Sequence, residues 1–202
     1  MKVKKEKIMK LSNLIKLFVH RQDVRRLLEA YLERETSSVE FGGLTHEEID
    51  GLIKWINGIF YNHTNLTVVE IGTLFGITAR ELALHTPAKI VTIDNFSWNP
   101  FGLDAETHER FTRSILKTSN VQVVSADSVE YLNNATDIGA VFLDGDHRYE
   151  VVKQELIILR ERGVRYLSGH DWGNESFGVT RAVKEVLGEP DYVVGRCWFK
   201  SF

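Results

Sequence analysis

The chain has 202 residues, 43% of them hydrophobic and 26% charged, with a formal net charge of −3. That length suits one domain with a short extension, and it buries a core without disulfide or metal staples. The modest charge excludes a strongly basic nucleic-acid binder, the single cysteine (Cys197) excludes a disulfide framework or a Cys-rich zinc module, and 15 Gly with 3 Pro exclude a low-complexity chain.

Residues 1–44 read as a basic helical arm, and residues 45–202 as the domain proper. Residues 1–35 carry 10 Lys+Arg against 5 Asp+Glu, a net of +5; the remainder carries 15 against 23, a net of −8. Apolar residues at Ile8, Leu11, Ile15 and Phe18, then at Val24, Leu27, Leu28, Tyr31 and Leu32, recur at helical spacing. An arm of this kind packs on its own domain or on a second copy of the chain, so a homo-oligomer through the arm is an expectation. No signal-peptide run and no membrane-length apolar stretch is present, and the expected location is cytoplasmic, with no membrane or nucleic-acid partner.

Thr45 to Glu48 fits a capping box, with Ile49, Leu52, Ile53 and Ile56 continuing a helix toward Phe60. Strands are expected at 67–71, 89–93, 121–125, 138–143 and 164–168. Helical stretches follow through Ala79, Leu82 and Leu84, then at 106–116, 128–133, 149–162 and 179–187. Two strands, 192–194 and 196–200, close the chain through Gly195. Strands alternating with helices predict an α/β, Rossmann-like, doubly wound sheet of seven mainly parallel strands. The closing pair is joined too tightly for a crossover, so the last strand must run antiparallel.

Such sheets bind ligands at the carboxyl ends of their strands. The first strand ends in Glu70-Ile71-Gly72-Thr73-Leu74-Phe75-Gly76. Gly72 permits a tight turn, and Gly76 lets the next helix start against it. The spacing is neither G-x-G-x-x-G nor a P-loop, which disfavours a dinucleotide. Asp94 ends the second strand, where an acid can take both hydroxyls of a ribose. Asp127 follows the third strand, where an aspartate also caps a helix. Asp144-Gly145-Asp146-His147 follows the fourth, and Gly169-His170-Asp171-Trp172 ends the fifth.

The runs E-I-G-T-L-F-G, V-T-I-D and S-A-D-S resemble the cofactor motifs of class I S-adenosylmethionine-dependent methyltransferases. F-L-D-G-D-H-R-Y-E-V-V, G-H-D-W and F-G-V-T-R-A-V look like a small bacterial branch related to metal-assisted O-methyltransferases. The resemblance covers residues 45–202. It implies that Glu70, Gly72, Thr73 and Gly76 shape the methionine and ribose end of an S-adenosylmethionine site. Asp94 would bind the ribose, Asn95 and Phe96 would lie beside the adenine, and Asp127 would face its amino group. Asp144 would lie near the sulfonium and the acceptor, a hydroxylated small molecule.

O-methylation needs a base, and His147 is the expected one, because imidazole titrates near neutrality and the related enzymes carry a basic residue there. The alternative is a histidine that merely bonds a loop carbonyl. Asp144, His170 and Asp171 form a candidate site for a divalent metal ion; imidazole favours Zn²⁺, Fe²⁺ or Mn²⁺ over Mg²⁺. The alternative is a structural His170–Asp171 pair. With so few cysteines, any metal site is expected to use carboxylate and imidazole alone. Trp98, Trp172 and Phe177 are candidate pocket walls or core residues. A non-catalytic cofactor-binding protein and a small-molecule N-methyltransferase remain as other functions. The usual amino-methylating Asn/Asp-Pro-Pro-Tyr/Phe motif is missing after the fourth strand.

Overall fold

A computed structural model describes residues 43–202 except 64, 101 and 118. The chain divides into two units, Met1–Thr45 and His46–Phe202, and the account below concerns the second. The amphipathic arm expected over 1–44 lies outside the described residues, but for its last two.

The elements run α1 (His46–Phe60), β1 (Thr67–Ile71), α2 (Ile77–His85), β2 (Lys89–Asp94), α3 (Ala105–Leu116), β3 (Val121–Ser125), α4 (Ser128–Asn134), β4 (Ala140–Leu143), α5 (Tyr149–Glu161), β5 (Tyr166–Gly169), α6 (Val179–Leu187), β6 (Tyr192–Val194) and β7 (Cys197–Ser201). The strands form one sheet in the order β3-β2-β1-β4-β5-β7-β6. Pairing is parallel from β3 through β5, while β7 runs antiparallel between β5 and β6.

All residues of β1 and β4 are buried, as a parallel sheet covered on both faces requires. Val179, Ala182, Val183 and Leu187 make the apolar stripe of α6, which packs beside α5. Ile49, Leu52, Trp55, Ile56 and Ile59 make that of α1, and the Trp55 ring meets Phe199 of β7 at 5.5 Å.

Three strand starts differ from expectation, β7 by a single residue, at Cys197 instead of 196, and β4 and β5 by two each. β4 begins at Ala140 because Gly139 instead donates its N–H to Thr67 O. β5 begins at Tyr166 because Val164 N bonds back to Leu159 O, closing α5 through Gly163 at φ 73°. Among the described residues, no helix is long and apolar enough to cross a membrane.

Candidate active site

At the end of β1 the chain turns under tight steric control. Gly72 has φ 95°, and a Cβ there would stand 2.2 Å from Asp144 O. Its N–H bonds Ile93 O while Asp144 N bonds Ile71 O, so β1 ends locked between β2 and β4. Gly76 has φ 77°, and a Cβ would press Leu116 Cδ1 at 2.6 Å. Only glycine fits either position.

Asp94 organises this loop. Its Oδ2 accepts from Thr73 N at 3.0 Å and Leu74 N at 2.9 Å, and its Oδ1 accepts from Phe96 N at 2.7 Å. A carboxylate offers about four lone-pair sites. Three backbone N–H groups thus hold the Asp94 carboxylate, and an acceptor site remains on Oδ1.

Glu70 is 1% exposed, and its Oε2 accepts from Thr92 Oγ1, itself paired with Thr73 Oγ1. Burial raises its pKa to about 8 against the opposing Thr92 bond, with Asp144 and Asp94 adding to the rise. Its carboxyl belongs to the sheet interior. Asn95 Oδ1 accepts from Ser97 N. Phe96 is left-handed, φ 55°, with its ring buried edge-on against His108. Asp127 caps α4 by accepting from Glu130 N at 3.1 Å and is solvent-exposed.

The ends of β4 and β5 converge. His147 Nδ1 lies 3.2 Å from Asp171 Oδ2, and its ring stacks on Phe177 at 4.3 Å. His147 is 35% exposed, Asp171 almost buried. Gly178 N holds His147 O, and a Cβ on Gly178 would meet Tyr149 N at 2.2 Å, so this glycine lets the start of α6 lie against the His147 loop. Asp146 turns away to chelate Arg148.

His170 is surrounded by acids: Nδ1 is 3.5 Å from Asp144 Oδ1 and 3.6 Å from Asp171 Oδ2, and Nε2 is 3.4 Å from Glu48 Oε1. Burial opposes its charge, but Asp144, Asp171 and Glu48 outweigh it and push the pKa up to about 12. Burial likewise raises Asp144 against the pull of His170. Asp171 is held below the usual carboxylate range: its burial is outweighed by His170 and His147.

Glu48 is the residue that sequence reasoning missed. Read as a capping-box acid, it is buried, and its Oε1 accepts from Arg196 N at 2.7 Å. The available signal was an acid one turn before Leu52 and two before Trp55, on the apolar stripe of α1. Cys197 is a second addition. Its thiol, raised by burial and by the neighbouring acids, gathers with Glu48 and His170 so that their ligand atoms lie within 4.8 Å of one another, as do those of Asp144, His170 and Asp171. β7 lies between β5 and β6, and this is how Cys197 comes to stand with His170 and Glu48, beside the carboxylate and imidazole set expected from the sequence. Trp172 packs on the core, whereas Trp98 is 66% exposed.

No family model matches the sequence, and no curated protein matches it either. Solved structures do. The bifunctional kinase-methyltransferase WbdD superposes with a TM-score of 0.59 at 13% identity, over 79% of this chain and 40% of that one. The fold is that of the class I methyltransferases. Cofactor-bound Rv0187 from MTB superposes at TM-score 0.52 and 18% identity, over 80% of this chain and 76% of that one. The precorrin 8W decarboxylase from Methanobacterium thermoautotrophicum matches at TM-score 0.51 and 19% identity, over 73% and 75%. The chain spans about two fifths of WbdD, and the class I methyltransferase fold carries more than one activity among these neighbours.

Proposed function

We propose that this chain is an S-adenosylmethionine-dependent methyltransferase that methylates a hydroxyl of a small molecule, with His147 as general base. The observation that carries the reading is the His147–Asp171 pair at the carboxyl ends of β4 and β5, beside the glycine loop of β1. Bound S-adenosylmethionine would supply an electrophilic methyl group on a sulfonium. The loop from Gly72 to Gly76 and the remaining acceptor site of Asp94 suit its methionine and ribose end.

Asp171 takes the Nδ1 side of His147, which leaves Nε2 to receive the hydroxyl proton as the acceptor oxygen bonds the methyl carbon. The Phe177 ring stacked on His147 limits the ways the imidazole can turn. The same edge fits a divalent ion: two carboxylates and an imidazole converge there, a donor set suited to Zn²⁺, Fe²⁺ or Mn²⁺. Asp144, His170 and Asp171 would hold it, His170 giving up its proton, and such an ion lowers the pKa of a hydroxyl bound to it.

Isothermal titration of the full chain with S-adenosylmethionine and S-adenosylhomocysteine tests the reading. Micromolar binding of both is expected, followed by turnover in a screen of hydroxylated metabolites. Absence of binding overturns the cofactor assignment; binding with turnover of amines alone overturns O-methylation.

A further inference from the structure

The buried residues of α3 reach the loop that follows β1. Asp104 caps this helix by accepting from Thr107 N at 2.9 Å, which sets His108, Thr112 and Leu116 in a row at i, i+4 and i+8. These three are its buried residues. Leu116 meets Gly76. His108 Nε2 lies 2.8 Å from Leu74 O, and Thr112 Oγ1 donates to the same oxygen at 2.8 Å. Leu74 is left-handed, φ 46°, a conformation that costs a side-chain-bearing residue free energy unless its surroundings hold it. Asp94 takes the N–H of Leu74 while α3 takes its C=O.

A carbonyl only accepts, so Nε2 of His108 carries the proton and Nδ1 the lone pair. That Nδ1 is buried with no hydrogen-bond partner among the described residues. The imidazole lies between Phe75, at 4.9 Å, and Phe96, at 5.1 Å. Phe96 is itself left-handed and follows β2. One side chain therefore touches both loops that would frame the cofactor. Leaving Nδ1 unpaired costs stability, a cost offset by the fixed Leu74 carbonyl.

We infer that His108 and Thr112 are positioning residues for the cofactor, holding Leu74 O so that the Gly72–Gly76 loop is preformed before S-adenosylmethionine arrives. The inference rests on the function proposed above. Preforming a strained loop removes an ordering cost from binding, so loss of either donor should appear in affinity.

The test measures S-adenosylhomocysteine affinity by calorimetry and Leu74 amide exchange in the ligand-free chain. Thr112→Val is expected to weaken binding about three- to tenfold and speed the exchange, with Thr112→Ser restoring both. His108→Phe, which keeps the aromatic packing and removes the donor, should act in the same direction, and nitrogen NMR of the imidazole should show the Nε2–H tautomer. Variants that bind and exchange as the parent does overturn the inference, as does a weakened Thr112→Val that Thr112→Ser fails to rescue. If His108→Phe does not fold, the two Thr112 variants decide. A parent chain that does not bind overturns the cofactor reading itself, a result distinct from unchanged variants of a chain that binds.

Discussion

Asp171 Oδ2 stands 3.2 Å from His147 Nδ1, and Asp171 holds that position in a left-handed conformation, φ 60°. Aspartate tolerates this region better than most residues, and here its backbone O and Oδ1 are both tied to Asn174. The carboxylate is nearly buried, so it is a fixed acceptor toward which the imidazole orients.

Replacing His147 by Ala should lower turnover about 10²- to 10⁴-fold, the usual contribution of a positioned base. Cofactor affinity, measured by calorimetry, should stay within about twofold, because His147 lies outside the Gly72–Gly76 loop. A large loss of affinity would place His147 in the cofactor site instead.

Asp94→Ala frees the N–H groups of Thr73, Leu74 and Phe96 at once. It should cost about 1–3 kcal/mol of stability through unsatisfied donors and weaken cofactor binding more than tenfold. Denaturant unfolding and calorimetry check the two effects separately.

Glu155 reports on pH. It is buried, accepts from Ser128 Oγ, and burial raises its pKa from 4.5 to about 7, opposed by the Ser128 bond and helped by Asp146 and Asp127. The folded state therefore holds its proton more tightly than the unfolded state. This term favours folding most below about pH 4.5 and is lost as pH rises through about 7. Glu155→Gln should gain stability relative to the parent over that window, by up to about 3 kcal/mol at pH 8, seen in urea midpoints across pH.

A metal ion held by Asp144, His170 and Asp171, as proposed above, would compete with the proton of His170. Added Mn²⁺ or Zn²⁺ should raise the melting temperature more at pH 8.5 than at pH 6.5, since imidazole must be neutral to ligate. Asp144→Asn should abolish the rise. No shift at either pH would leave His170 as the imidazolium that neutralises its three acids.

The architecture was legible because burial and periodicity are local. Val179–Leu187 reads directly from its stripe, and the antiparallel β7 follows from a turn too short to cross over. The adjacency of the candidate residues after β1, β4 and β5 was legible as a row of strand ends, since topology alone gathers them. Partners were not. Arg196 lies 148 residues from Glu48, and nothing near either announces their bond. Phe96 packs edge-on against His108, which no motif contains. Asp127 is a helix cap in the structure, an option that a lone aspartate before a helix always leaves open.

The backbone contact of Gly72 with Asp144 O bears on how such a site diversifies. The partition between the loop after β1 and the acid after β4 is bare main chain, with no side chain to enlarge, trim or recharge. Under the function proposed above, acceptor preference would rest on side chains such as Phe177, stacked on His147, and this partition would take no part in it.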